Sequence, residues 1–245
     1  MYRQLDCIAL RTVRYSDRNS ILTAYTRQAG RQSFLLPAGA GKTASRLRAL
    51  LMPMGRFECV ADIRPGRDIH PVRDVRPIVF PPAGDPLRST LAMFVADTLA
   101  GLLREPMPDP LLFDFVELSL RQLADEGDNA LSGNALLNFH ICFMVHLTRF
   151  LGIEPDWGTY TRGAYLDIAD GIFRPLPPPH RHYLPEGESR LACLLGRMTY
   201  DNAAHFHLGR FGRNTILDRL LLYYRTHYPS VTEPSSLAIL RMMAD

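Results

Sequence analysis

The hydrophobic period of this chain changes once, near residue 80, and that change restricts the fold to two differently built parts. Up to Val79 the apolar residues come in short runs. Phe57, Cys59, Ala61 and Ile63 interleave with Glu58, Asp62 and Arg64, the two-residue period of a half-buried strand. Ile8–Leu10, Ile21–Thr26 and Ser33–Leu36 are further strand segments, with turns at Ala29-Gly30 and Pro65-Gly66. About five strands result, and Ala44–Leu51, between the third and fourth, has room for about two helical turns. Such a pattern fits an OB-like β-barrel, a fold often used to hold single strands, although other small barrels share it.

Val79–Asp85 is rich in Pro and Gly and reads as a linker. Beyond it the period is helical. Asp85-Pro86 and Asp109-Pro110 each set a capping Asp before a Pro at the first helical position. Leu87, Leu91, Phe94, Val95, Thr98 and Leu102 mark one helical face. Further helices are expected near 134–151, stopped by Gly152 and Pro155, and near 189–200, 213–227 and 235–243. Ala164–Arg174 reads as a hairpin turning at Asp170-Gly171, followed by the stiff run Pro177–Pro179. The expected fold class is therefore α+β: an N-terminal OB-fold barrel over 1–80, then a mostly helical domain over 81–245 that carries a small β-hairpin insertion at 156–183.

Composition narrows the function. The chain has 245 residues, 47% of them hydrophobic, but no apolar run reaches the roughly 18 residues of a membrane helix. The N-terminus has no signal-peptide core, so a cytoplasmic protein with no membrane partner is expected. Cys7, Cys59, Cys142 and Cys193 are far apart and lie in apolar surroundings, which points to buried thiols rather than disulfides or a zinc site. Residues 1–80 hold 14 Lys and Arg against 6 Asp and Glu, a net of +8; the remaining residues hold 14 against 19, a net of −5. A basic N-terminal third suits a polyanion, while the acidic remainder argues against a protein that coats nucleic acid along its whole length.

One motif sharpens this. Pro37–Thr43 reads PAGAGKT, ending in the Gly-Lys-Thr that closes a phosphate-binding P-loop. The first glycine of that motif would stand five residues before Gly41, where the chain has Leu36, and the preceding strand arrives by a tight hairpin rather than a crossover. Three readings stay open: a nucleotide site, a loop gripping a phosphate backbone, and a solvated turn with two glycines. The surroundings favour the second. Lys42, Arg46 and Arg48 cluster there, and Arg11, Arg14, Arg18, Arg27 and Arg31 lie on or beside the flanking strands. Thirteen of the fourteen basic residues in this third are arginines, whose guanidinium forks bind phosphate oxygens and stack on bases. Tyr15, Tyr25 and Phe34 are either stacking platforms or barrel core.

Tyr15–Thr26 followed by Gly30, then Lys42–Leu47 and Leu50–Pro53, resemble the N-terminal signature of the bacterial recombination mediator RecO family, and Phe143–Pro155 resembles its later segment ending Leu-Gly-x-x-Pro. The resemblance runs in order through nearly the whole chain and is strongest to the Bacteroides-type form. It implies an OB-fold DNA-binding domain and a helical domain, without catalytic turnover or cofactor. It also implies binding of single- and double-stranded DNA, annealing of complementary strands, a partnership with RecR, and location at the nucleoid. Through these, such proteins help RecA onto DNA covered by single-stranded DNA-binding protein, whose acidic C-terminal tail docks on the helical domain. Many members carry paired cysteines after the Leu-Gly-x-x-Pro segment; residues 156–183 have none, so no metal is expected.

Other chemistry is weakly signalled. His180-Arg-His182 and His205-Phe-His207 each lack a nearby third ligand. No nucleophile elbow or carboxylate pair stands out, so no catalytic residue is named. For an acidic, aromatic-ended tail the helical domain would need one guanidinium beside an apolar slot, and Arg149 and Arg219 are the two candidates.

Overall fold

The computed structural model describes residues 2–37, 47, 51–64, 66–79, 82, 84–123 and 130–243. The chain forms two compact units, Met1–Ala130 with Pro234–Leu240 and Leu131–Glu233 with Arg241–Asp245.

The first unit is built on five strands: β1 (Tyr2–Arg14), β2 (Asn19–Thr26), β3 (Gly30–Pro37), β4 (Arg56–Asp62) and β5 (His70–Val79). They close into a barrel in the order β1-β2-β3-β5-β4, the OB-fold expected from the sequence. Closure depends on β1, which is long enough to serve two neighbours. Tyr2–Ile8 pairs with β4 and Cys7–Arg14 with β2, and a register shift between Ala9 and Arg11 lets the strand turn from one partner to the other. Two parallel pairs, Phe34↔His70 and Leu35↔Pro71, complete the circle.

Alternation fills the interior. Leu5, Cys7, Ala9, Leu22, Ala24, Phe34, Leu36, Phe57, Cys59 and Ala61 form one core, and Leu47 and Leu51 pack with it. Leu51 N–H donates to the Leu47 carbonyl at 3.0 Å, a helical turn where the sequence anticipates one between β3 and β4; residues 44–46 and 48–50 of that segment lie outside the described residues. Gly30, at a φ of +63°, opens β3 where a Cβ would stand 2.3 Å from the Met107 carbonyl oxygen, so no other residue fits that turn.

Two helices follow, α1 (Pro86–Leu102) and α2 (Pro110–Gln122). Both start as the Asp-Pro pairs require: Asp85 accepts from the N–H groups of Leu87 and Arg88, and Asp109 from those of Leu111 and Leu112. Of the helical face read from the sequence, Leu91, Phe94, Val95, Thr98 and Leu102 are buried and Leu87 is half-buried.

The second unit holds α3 (Gly133–Phe150), a three-stranded sheet of β6 (Tyr165–Asp167), β7 (Ile172–Arg174) and β8 (Tyr183–Leu184), then α4 (Glu186–Leu195) and α5 (Arg210–His227). A final helix, α6, spans Leu237–Met243. α3 ends in a Schellman turn: Gly152 takes a φ of +69°, with Gly152 N–H donating to the Arg149 carbonyl and Ile153 N–H to that of Thr148. The hairpin turns at Asp170-Gly171 as expected, Gly171 having a φ of +68° and a missing Cβ that would stand 2.9 Å from the Tyr223 hydroxyl. α4 begins at Glu186 rather than near Ser189. Ser189 looks like a cap in the sequence, but it is buried and its hydroxyl donates to the Leu184 carbonyl while accepting from Leu166 N–H, so it ties the helix to the sheet.

Candidate nucleic-acid interface

The β1–β2 hairpin carries exposed charge. Arg14 pairs with Ser20 and Arg11 with Thr23 across the ladder, and the connection is held by Ser16, whose hydroxyl accepts from the N–H groups of Arg18 and Asn19 at 3.3 and 3.1 Å. Tyr15 and Ser16 N–H both donate to the Asn19 carbonyl, so the turn is tightly closed. Arg11, Arg14 and Arg18 are exposed on it, together with Tyr15, which is 64% exposed. Asp17 tempers the charge through an exposed 2.7 Å contact with Arg14.

The β2–β3 register shows where β3 ends relative to this hairpin. Asn19 pairs with Pro37, so the chain leaves β3 at the hairpin's end of the barrel. Lys42, Arg46 and Arg48 lie outside the described residues, but Leu47, between the two arginines, packs on the barrel core. β2 and β3 are antiparallel from Asn19↔Pro37 to Thr26↔Gly30, unlike the parallel sheet that feeds a P-loop.

Arg27 and Arg31 stand elsewhere. Arg27 follows the far end of β2, eight residues or ~25 Å from the turn at Asn19 at a strand's rise, and Arg31 pairs with Tyr25, six residues from that turn, whereas Arg11 lies between, opposite Thr23. Arg27 forms an ion pair with Asp114 of α2, and its guanidinium sits 5.1 Å from the Phe113 ring centre. Arg56, 5.8 Å from the same ring, bridges Asp6 at 2.9 Å and Glu117 at 3.1 Å. Arg31 is half-buried, and burial first, then the nearby Arg104, lowers its pKa. The structure thus divides the candidates into an exposed group at Arg11, Arg14 and Arg18, and a packed group at Arg27 and Arg31.

Of the three aromatic candidates, Tyr15 faces solvent. Phe34 is fully buried in the barrel, and Tyr25 is buried with its hydroxyl donating to the Asp109 carbonyl at 3.1 Å. Burial of this phenol, and the Asp109 charge, push its pKa up to about 12. Two further exposed arginines carry no local sequence signal. Arg73 and Arg76 are both exposed on β5, the Arg73 guanidinium lying 3.6 Å from the Tyr2 ring centre. They are three apart, which hides them from a two-residue period; they share a face because three β5 residues span the two steps from Val60 to Glu58 on β4.

The second unit contains a small apolar cavity of about 80 Å³ that opens to solvent, walled by Trp157, Leu191, Leu195, Ile216, Leu220 and Tyr223. Arg219 and Glu188 line it too, with side chains 45% and 30% exposed. Arg149 is exposed in the last turn of α3 and is not among the lining residues. Where the family's paired cysteines would follow, the hairpin is held by ionic and aromatic contacts. The buried Asp167 accepts from Arg174 Nε at 2.9 Å, with His180 at 3.4 Å, and Phe173 packs edge-on to Tyr160. Among the described residues no three His, Cys, Asp or Glu side chains gather as a metal site.

Family models for recombination protein O match this chain twice, the N-terminal model over residues 1–79 and the C-terminal model over 83–236. The chain belongs to the recombination protein O family. Its relatives include DNA repair protein RecO of Porphyromonas gingivalis W83, 35% identical over 228 residues that make up 91% of each chain. The RecO of Phocaeicola vulgatus is 33% identical, covering 96% of this chain and 95% of its own, and that of Bacteroides fragilis NCTC 9343 is 31% identical over 97% of each. The expected likeness to the Bacteroides-type RecO is therefore correct, and the family's work is DNA repair and recombination. Among the described residues no helix is long and apolar enough to cross a membrane.

Proposed function

We propose that this RecO-family chain is a non-catalytic recombination mediator that grips DNA at the exposed end of its barrel. The observation that carries the proposal is the joint exposure of Arg11, Arg14, Arg18 and Tyr15 on the hairpin beside which β3 ends at Pro37, four residues before Gly41. Guanidinium groups would hold phosphates while the tyrosine ring offers a base a stacking face. Lys42, Arg46 and Arg48 extend the grip, and Arg27 and Arg31, already engaged or half-buried, contribute less. The functional division falls at residue 80, with DNA on 1–80 and protein partners on 81–245.

With both single- and double-stranded DNA held this way, the protein anneals complementary strands and, together with RecR, helps RecA onto DNA covered by single-stranded DNA-binding protein. The acidic C-terminal tail of that last protein is the ligand for the apolar cavity, with Arg219 rather than Arg149 as the cation that receives it. The work belongs in the cytoplasm, at the nucleoid. Fluorescence anisotropy of labelled oligonucleotides tests the assignment: ATP leaves binding unchanged, DNA binds at least as well as RNA of the same sequence, and Lys42→Ala with Arg46→Ala weakens both. ATP-dependent binding would favour a nucleotide-using enzyme at Lys42, and a strong preference for strands with 2′-hydroxyls would favour an RNA-binding adaptor.

A further inference from the structure

Arg219 and Glu188 meet at the cavity in a two-point contact. Arg219 Nε lies 2.6 Å from one Glu188 carboxylate oxygen, and a terminal guanidinium nitrogen donates to the other at 2.9 Å. This side-on pairing is how an arginine holds any carboxylate, including the one that ends a peptide. We propose that Glu188 occupies, in the free protein, the seat that a ligand's terminal carboxylate takes on binding, so that the cavity is a self-masked site for a peptide ending in an aromatic or large apolar residue. The inference rests on the cavity being a docking site and adds the residue that sets its affinity and selectivity.

Three observations support it. Glu188 is not a loose surface side chain. It lies in the first turn of α4, where the helix dipole favours an acid, and the next residue, Ser189, pins that turn to β6 and to Leu184 through the two hydrogen bonds of its buried hydroxyl. The other acid of this turn, Glu186, is engaged elsewhere and accepts from the Tyr165 hydroxyl at 2.9 Å. Finally, Arg219 is the one cation among the described residues that line the cavity, and apart from Glu188, Thr148 and Thr215 its other walls are apolar. A ligand that fills this space needs one carboxylate and one apolar side chain, and its carboxylate meets a guanidinium already in use.

Displacement has a measurable cost. A half-exposed ion pair of this kind is worth about a fivefold change in affinity, so the free protein binds its ligand about fivefold more weakly than an unmasked site would. Masking also has a use: a lone guanidinium beside an apolar hollow would accept many anions, whereas a competing carboxylate rejects those that cannot also fill the hollow.

The test titrates the full-length protein with a labelled short acidic peptide ending in Phe with a free carboxylate, and with the same peptide amidated. Glu188→Gln is expected to tighten the free-acid peptide about fivefold and to widen the gap between acid and amide, while Arg219→Ala loses the acid preference. Glu188→Ala should act in the same direction and stands in if the glutamine variant does not fold. Binding by the wild type that neither Glu188 variant tightens overturns the masking and leaves the docking site in place. No binding by the wild type or by either variant overturns both.

Discussion

Lys42 is the only lysine in the chain, which makes the Gly-Lys-Thr segment chemically addressable. If that segment grips a phosphate backbone, saturating single-stranded DNA slows amine-selective acetylation of Lys42 severalfold, read by mass spectrometry of its peptide; equal rates with and without DNA would refute the contact. A second side chain reports on stability. His140 is buried in the second unit, where burial, and secondly the charge of Arg213, depress its pKa from 6.5 to about 3. The folded chain keeps it neutral and the unfolded chain protonates it below 6.5. Its contribution to stability is therefore full above pH 6.5 and is lost as the pH falls toward 3. His140→Gln should flatten the acid side of the unfolding midpoint against pH over that window; an unchanged slope would count against it. At this scale the sequence shows which residue types are present but not which way they face. Tyr25, Phe34 and Tyr15 are all aromatics in strand-rich text, and only the barrel's closure decides that two are core and one is exposed.

Elements were easier to read than single contacts, because period and caps are local. Both Asp-Pro helix starts, the Gly152 stop and the Asp170-Gly171 turn follow from short-range rules. What escaped them was set by distant partners. Ser189 imitates a cap but serves the sheet, β1 runs longer than its apolar run because it pairs on both sides, and the shifted β4–β5 register conceals Arg73 and Arg76. Gly30 is where local and distant constraints coincide, through its positive φ and the Met107 backbone close against it. Gly30→Ala is expected to cost at least about 2 kcal/mol, since it adds a Cβ to a left-handed residue and pushes it into backbone. A thermal melt showing no loss would mean that the 103–109 segment yields easily. Gly66, also at positive φ but with no described residue within 4 Å of its missing Cβ, should tolerate alanine with a smaller loss.

For the molecule as a whole, the decisive clue was the uneven distribution of charge and period along the chain. The change of period near residue 80 marks where strands give way to helices, yet it says nothing of what those helices pack against. α1 and α2 share a compact unit with the barrel, tied to it by Arg27–Asp114, Arg56–Glu117 and the Tyr25 hydroxyl. Such long-range pairs have no signature in local sequence. The basic third was legible from its arginine count, but its division into an exposed hairpin group and a packed group needed the fold. That division makes the central claim testable. Single-strand affinity of the wild type measured across salt concentrations should give a log–log slope of roughly −4, and Arg11→Ala, Arg14→Ala and Arg18→Ala together should reduce it by about 2. A triple variant with the wild-type slope, or a wild type indifferent to salt, would contradict DNA gripping at this end of the barrel.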